Sequence, residues 1–308
     1  MLGVLLGAGF SKWAANLPLA FELFDFDLVP RNDREQRRLL LLRKDKDKWD
    51  FANPSGQAEE FVEWSLNKSA VRSSRVIWYL TRRLSDPFIA TILGGTQTLM
   101  IDDRRARELL GVKRAQDFLR LAVGPHTSGV LTTNYDLLIE YALTTKFFNY
   151  GRLGEHLTGR GHNPQFPWQN TPVTLSGATP LAKLHGSVSW QESIRFTDGR
   201  CGLNGKALIV APRADKNGED EMPEVWNLAR KILARSTRII VFGFAFNPYD
   251  RHLLQLLSMS GGAIRDVALV DPSPALARAA SLWPKATINA FEAPSTHDTA
   301  IRKWLEAT

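Results

Sequence analysis

The chain has 308 residues, of which 44% are hydrophobic and 23% are charged, as in a globular protein with a sizeable core. This length predicts one large domain with an insertion, or two domains. The single cysteine, Cys201, excludes a disulfide within the chain and any zinc site that needs several cysteines, and it indicates a reducing compartment. The net charge of +7 suits an anionic ligand. Direct nucleic-acid contact is less favoured, because the basic residues are scattered along the chain.

The N-terminal residues do not have the pattern of a signal peptide. Residues 1–6 are apolar, but they lack a basic region before them, and Lys12 follows soon after. No run of about 18 apolar residues occurs, so no membrane-spanning helix is predicted. We therefore expect a cytoplasmic protein without membrane contact.

The first predicted element is a buried strand that runs into a glycine turn and a helix, in residues 5–11. Gly7 and Gly9 carry no Cβ, so the backbone there can approach a ligand closely. The helix that follows offers free N–H groups and a positive dipole end to a phosphate. However, Lys12 stands where a dinucleotide fingerprint requires a third glycine, and no Walker loop is present. Taken alone, the turn is a weak signal, and an ordinary tight turn explains it equally well.

Residues 21–125 are predicted to form an all-helical module. Apolar residues recur there at spacings of three and four, first around Phe61, Trp64 and Leu80 and again between residues 109 and 122. Residues 31–50 are strongly charged and predict a solvated helix face or a loop. Pro18 is expected near the start of a helix that carries the apolar residues 19–24.

After residue 125 the pattern changes to short apolar strands that alternate with helices. Such strands are predicted close to residues 130–131, 181–184, 207–210, 239–242 and 267–270. Residues 149–180 are rich in Gly, Pro and Asn and predict a long connection or a lid. The alternation predicts an α/β fold with a Rossmann-like, doubly wound and mostly parallel sheet.

Small or polar residues follow five of the predicted strands. These strand ends are Gly7-Ala8-Gly9, Thr133-Asn134-Tyr135-Asp136, His185-Gly186, Gly243-Phe244 and Asp271. In doubly wound sheets ligands bind outside the carboxyl ends of the strands. The five strand ends therefore predict one shared crevice.

Four motifs, taken in order, resemble those of the sirtuins. The closer resemblance is to the prokaryotic sirtuin-like proteins of antiviral defence, which destroy NAD. The motifs are Gly-Ala-Gly-Phe-Ser at 7–11, Thr-Asn-Tyr-Asp at 133–136, Leu-His-Gly-Ser at 184–187 and Gly-Phe-Ala-Phe-Asn at 243–247. The resemblance implies that residues 1–20 and 126–308 form a sirtuin-like Rossmann NAD-binding domain, with residues 21–125 inserted as a helical module.

The resemblance also implies roles for three candidate catalytic residues. Asn134 matches the asparagine that positions water and the nicotinamide ribose. Asp136 matches the acid that holds the nicotinamide carboxamide in sirtuins, and His185 matches the catalytic histidine beside the ribose hydroxyls. Each also has a purely structural explanation. Asn134 can cap a helix, Asp136 can favour a helix dipole, and His185 can be a turn residue with a backbone partner.

The remaining matches concern NAD binding. The loop that holds the diphosphate corresponds to Gly7, Ala8, Gly9, Phe10 and Ser11. Gly243 and Phe244 match the turn along the adenosine side, in the motif that ends at Asn247, and Asp271 falls where the adenosine ribose is usually met. Pro18 retains only the proline neighbourhood of the sirtuin cofactor loop, and Thr133 stands where sirtuins have glutamine.

The main hypothesis is a zinc-independent NAD glycohydrolase that produces nicotinamide and ADP-ribose. Breaking the bond to nicotinamide needs no metal, because the leaving group is already cationic, so positioned water and charge stabilisation suffice. Protein-deacylating sirtuins carry a four-cysteine zinc ribbon, which Cys201 alone cannot form. The alternatives are a protein deacylase or ADP-ribosyltransferase, a non-catalytic module that binds NAD or ADP-ribose and regulates a partner, and a nucleic-acid-binding assembly protein.

Partners follow from the resemblance alone. Defence proteins of this kind are effectors that deplete NAD on a signal, and they often form large homo-oligomers. Relatives work with a helicase-like ATPase, an Argonaute-like nucleic-acid sensor or a phage protein. We therefore expect a homo-oligomer that an activating partner regulates.

Overall fold

A computed structural model describes residues 1–87, 110–143, 148–150, 179–195, 201–212, 217–292 and 299–307. Every candidate site residue named above lies within these ranges. Most of the predicted connection at 149–180 lies outside the described residues. Within the described residues, no helix combines the length and the apolar character needed to cross a membrane.

The core of the fold is a parallel sheet of seven strands in the order β3-β4-β2-β1-β7-β8-β9. All of the neighbouring pairs are parallel. The prediction of a doubly wound, mostly parallel α/β sheet is therefore confirmed. The strands are β1 (Leu2–Leu6), β2 (Thr127–Thr132), β3 (Phe148–Asn149), β4 (Thr179–Lys183), β7 (Arg238–Phe242), β8 (Asp266–Val270) and β9 (Thr287–Phe291).

A separate antiparallel pair of strands follows β4 in the chain and is not part of the main sheet. It consists of β5 (Gly186–Arg195) and β6 (Cys201–Ile209). The strand predicted near residues 207–210 therefore belongs to this hairpin and not to the main sheet. Gly186 has a φ of 82°, a left-handed conformation that favours glycine and redirects the chain away from the sheet after His185.

Helices cover both faces of the sheet, and the strand side chains alternate between two cores. Val4 and Leu6 pack into one core, whereas Leu5 packs into the other. The first face is covered by α1 (Ala8–Ala15), α5 (Leu110–Ala122), α6 (Leu138–Leu143) and α11 (Thr299–Glu306). The second face is covered by α8 (Pro223–Ala234), which follows the short α7 (Gly218–Glu221), and by α9 (Arg251–Met259) and α10 (Leu276–Leu282).

A third core belongs to the helical block, which we define as α2 (Asp33–Ala52), α3 (Ala58–Lys68) and α4 (Ala70–Pro87). Trp49, Phe61 and Tyr79 lie at its centre, and Tyr135 and Ile209 from the strand-end region pack against the same core. The block therefore lies directly on the carboxyl-end side of the sheet. No strand is assigned in the described part of residues 21–125.

The helix α5 packs on the sheet with α1, and not in the core of the helical block. The predicted module boundary at residue 125 would include α5 in the inserted module. The division of the chain into two modules remains a prediction.

Replacing Gly243 tests how tightly the strand-end turns pack. Gly243 has a φ of 63°, and an added Cβ would collide with the backbone nitrogen of Phe10. We expect Gly243→Ala to lower the free energy of unfolding by about 2–4 kcal/mol, from backbone strain and overpacking. Denaturant unfolding would measure the change. In the control Gly262→Ala, the new Cβ meets nothing within 4 Å, and equal losses for the two variants would contradict the packing argument.

Candidate functional site

The turn after β1 packs against the turn after β7, backbone on backbone. Gly7 N donates to Phe242 O at 2.9 Å, and Gly9 N donates to Gly243 O at 2.9 Å. An added Cβ on Gly7 would lie 2.7 Å from Phe244 Cα, so no side chain fits there. Gly7 and Gly9 therefore allow the backbone to approach the neighbouring turn closely, whereas the sequence predicted a close approach to a ligand. Gly7 caps α1 without any side-chain hydrogen bond, and Ala8 at the start of the helix is exposed.

Asn134 is held at the end of β2 by two hydrogen bonds to the glycine turn and its helix. Its amide nitrogen donates to Gly7 O at 2.9 Å and to Ser11 Oγ at 2.8 Å. Ser11 in turn donates to Asp136 Oδ2 at 2.7 Å. Because Ser11 has one hydroxyl proton to give, the network fixes which end of the Asn134 amide is the nitrogen. The amide oxygen of Asn134 has no protein donor among the described residues.

Asp136 is the residue that caps the following helix. Its Oδ1 accepts from Leu138 N at 2.9 Å, and its Oδ2 accepts from Ser11. Asn134 therefore does not perform the capping role that its residue type suggested. Burial raises the pKa of Asp136 above its ordinary value, although the charge of Lys183 and the hydrogen bond from Ser11 act in the opposite direction. Both carboxylate oxygens hold protein partners, and the proposed contact of Asp136 with a carboxamide stays a prediction.

A fully buried ion pair lies beneath this network. Lys183, at the end of β4, donates to Glu140 Oε1 at 2.8 Å and to the backbone oxygen of Asp136. Both side chains of the pair are inaccessible to solvent. Tyr150 also donates to Glu140 Oε1, at 2.9 Å. The sequence offered one signal that the prediction did not use, a lysine within the apolar strand segment 181–184.

His185 is buried, with 3% of its surface exposed, and it lies beside a carboxylate that the sequence analysis did not single out. Its Nε2 is 3.7 Å from Asp250 Oδ1. Asp250 ends a single 3-10 turn, Pro248–Asp250, which Asn247 caps by accepting from Tyr249 N at 3.0 Å. The Asn-Pro pair that starts this turn is a recognisable turn signal. However, no local sequence pattern indicates that this turn places the Asp250 carboxylate beside His185.

Tyr135 connects His185 with the helical block. Its ring centroid is 6.1 Å from that of His185, and its hydroxyl donates to Val210 O at 2.7 Å. Burial raises the pKa of Tyr135 well above its ordinary value, and the negative charges of Asp250, Glu59 and Glu221 raise it further. The pKa of this tyrosine is therefore raised by carboxylates from three different elements.

The other predicted site residues lie at neighbouring strand ends. Thr133 N donates to Leu6 O at 3.2 Å, which ties the end of β2 to the end of β1. Phe244 is buried in the second core. Asp271, which follows β8, accepts from Ser273 N at 2.8 Å and is partly exposed. The structure thus brings the ends of β1, β2, β4, β7 and β8 to one edge of the sheet, as predicted.

Pro18 precedes a short 3-10 turn, Ala20–Glu22, and not the longer helix that the sequence predicted. α1 ends at Asn16 in the left-handed conformation. Glu22 then bonds back to Lys12 at 2.7 Å and to Leu19 N at 2.7 Å. These contacts close the segment after one turn, so the apolar residues 19–24 do not continue a helix.

Neither a metal centre nor a clear nucleic-acid surface emerges from the described residues. They contain no group of three His, Cys, Asp or Glu side chains able to hold a metal ion. A groove of about 700 Å³ between α2 and α4 is lined by Arg34, Arg37, Arg38 and Arg75 together with Asp33. Asp45 lies 2.6 Å from Arg75 and partly neutralises it. Nucleic-acid contact stays a prediction.

The fold and site define the class as a Rossmann-like α/β domain with polar side chains at the carboxyl ends of its strands. A family model, the SIR2-like domain, matches residues 128–291, which is more than half of the chain. The chain therefore belongs to the SIR2-like family, as its motifs predicted, and an NAD-related function follows. None of the curated proteins matches the chain. The glycine turn lies outside the matched residues, and the structure connects it to them through Asn134.

Breaking the buried ion pair tests its part in holding the site. Lys183→Met leaves Glu140 charged and buried without its counter-ion, so we expect a loss of about 3–5 kcal/mol in the free energy of unfolding. The double variant Lys183→Met, Glu140→Gln removes that charge and keeps an acceptor for Tyr150, so it should recover much of the loss. Thermal and denaturant unfolding would measure both changes.

The exposed pair Arg302–Glu306 provides the control. Because solvent screens it, Arg302→Met should cost less than about 0.5 kcal/mol. A loss for Lys183→Met no larger than for Arg302→Met would contradict the structural role of the buried pair.

Proposed function

We propose that this protein is an NAD glycohydrolase, which cleaves NAD to nicotinamide and ADP-ribose. One observation carries the proposal: within a SIR2-like domain, a fixed asparagine amide and a buried histidine lie at adjacent strand ends. Asn134 follows β2, and His185 follows β4, which pairs with β2. Leu184 N donates to Thr132 O at 2.9 Å, so the two strand ends stay in register up to these residues.

The residues at the crevice suit the two halves of the NAD molecule. An anionic diphosphate fits the start of α1, where Ala8 is exposed and no side chain caps the helix. A ribose hydroxyl or a water fits beside Asn134, whose amide oxygen has no protein donor among the described residues. The residues present are therefore compatible with NAD as the substrate.

In the proposed reaction, the bond between ribose C1′ and the nicotinamide nitrogen breaks, and its electron pair leaves with nicotinamide. The ribose gains positive charge as the bond lengthens. A water, oriented by the Asn134 amide oxygen, forms the new bond to C1′ and loses a proton to His185. The products are neutral nicotinamide and ADP-ribose, so the reaction needs no further reactant.

Asp250 is proposed to position His185. A carboxylate beside an imidazole orients the ring and favours its protonated form once the proton has arrived. The distance of 3.7 Å between His185 Nε2 and Asp250 Oδ1 supports this role.

The biological setting is proposed on the motif resemblance. A regulated effector of antiphage defence that depletes NAD accounts for a SIR2-like domain without a four-cysteine zinc ribbon. Such an activity requires restraint before infection. We therefore propose homo-oligomers and an activating partner, of which a helicase-like ATPase, an Argonaute-like sensor and a phage protein are the candidates.

Alanine variants at the two strand ends test the main proposal. We expect Asn134→Ala and His185→Ala each to lower NAD cleavage by about 10²- to 10⁴-fold, since each removes a group that acts on water or a proton. Chromatography of nicotinamide and ADP-ribose would measure turnover, with and without the product of a neighbouring gene.

His126→Ala is the matched control, because His126 is exposed at the start of β2. Equal turnover by wild type, Asn134→Ala and His185→Ala would overturn the residue roles. NAD loss that appears only with an added acyl-lysine peptide would identify a deacylase instead.

A second test concerns Asp250. Asp250→Asn keeps the size of the side chain but removes its charge, so we expect turnover to fall by about 100-fold through misorientation of His185. The pH–rate profile should change as well, because the group that accepts the proton has lost its neighbouring charge. A variant with unchanged turnover and an unchanged profile would show that Asp250 has only a structural role.

A further inference from the structure

Glu59, in the first turn of α3, is a buried residue whose carboxylate has no partner among the described residues. Glu59 is 5% exposed, and none of the described residues forms a hydrogen bond or an ion pair with its side chain. Its neighbour Glu60 is satisfied on both oxygens, by Gln57 N at 3.0 Å and by the Tyr249 hydroxyl at 3.0 Å. The position of Glu59 thus differs from that of an ordinary first-turn acid, which faces water.

The contacts of α3 place its first turn, which carries Glu59, close to the 3-10 turn beside the candidate catalytic histidine. The Glu60–Tyr249 hydrogen bond joins the first turn of α3 to the 3-10 turn that ends at Asp250. Asp250 in turn lies 3.7 Å from His185. Tyr135, whose ring centroid is 6.1 Å from that of His185, packs against the core of the helical block, and the charges of Asp250 and Glu59 both raise the pKa of its hydroxyl.

A buried carboxylate is costly unless a cation compensates it. Lys183, the buried cation of the candidate site, is already bound to Glu140. The proposed substrate offers a cation at one end only, because the nicotinamide ring of NAD is positively charged and its diphosphate is negative. That positive charge moves onto the ribose as the bond to nicotinamide breaks, which is where a fixed negative charge has its largest effect on the rate.

We propose that Glu59 contacts the nicotinamide-ribose end of NAD and stabilises the positive charge that develops on the ribose. This inference rests on the proposed function and adds a catalytic residue to it. It also assigns a role to the helical block, which would supply one wall of the active site and a carboxylate in addition to those of Asp136 and Asp250. The diphosphate would then lie at the other end, near the glycine turn.

The test compares Glu59→Gln with Glu63→Gln. Glu63 lies one turn further along α3 and is partly buried, so it controls for loss of an acid from the same helix. Calorimetry would measure the binding of ADP-ribose and of carba-NAD, an uncleavable analogue that keeps the cationic nicotinamide ring. Product chromatography would measure kcat and KM for NAD, and circular dichroism would check that both variants remain folded.

We expect Glu59→Gln to weaken carba-NAD binding by about tenfold while ADP-ribose binding stays unchanged, because only the analogue carries the cation. The kcat for NAD should fall by about 100-fold, and Glu63→Gln should match wild type in every measurement. If Glu59→Gln weakened both ligands equally, or behaved like Glu63→Gln, the proposal would be overturned.

The binding measurements separate this proposal from the proposed function. A wild-type protein that binds carba-NAD but cleaves no NAD, even with its partner, would contradict the glycohydrolase assignment. The ratio of carba-NAD to ADP-ribose affinity in Glu59→Gln would still decide the role of Glu59. Absence of binding of either ligand to the wild type would overturn both proposals.

Discussion

The backbone contact between the turn after β1 and the turn after β7 is the constraint on which the rest of the site depends. Gly9 N bonds to Gly243 O, and no side chain fits at Gly7, so the two turns meet at a single separation. Gly7 O then serves as an acceptor for the Asn134 amide, and Ser11 on the attached helix accepts its second hydrogen. The orientation of Asn134 follows from this contact, because both of its partners belong to the turn and its helix.

The site consists of two groups of residues, and each group comes from segments that are distant in the chain. Asn134, Ser11 and Asp136 form a network that the buried Lys183–Glu140 pair supports from below. His185 stands apart from that network and is paired instead with Asp250. In the proposed reaction the first group would hold water and ribose, and the second would accept the proton. Because different residues hold Asn134 and His185 in place, each of the two has its own electrostatic environment.

The helical block is physically continuous with the candidate site. Its core includes Tyr135 and Ile209, and α3 bonds to Tyr249, the residue before Asp250. A displacement of α3 would therefore shift Asp250 and His185, because a short series of direct contacts connects them. If the protein is regulated as proposed, an activating partner that binds the helical block could act on the chemistry through these contacts.

The sequence by itself determined the parallel α/β class and most strands of the sheet, since runs of apolar residues alternating with helical periodicity fit few other folds, and its strand-end motifs already indicated the SIR2-like family. It also predicted that Asn134 and His185 lie at strand ends, because local motifs carry them. Only the tertiary structure decided that Ser11 binds Asp136, that Lys183 and Glu140 are paired, and that Asp250 lies beside His185. These contacts join residues far apart in the chain, and a local pattern records neither the path of the chain nor what a buried charge faces.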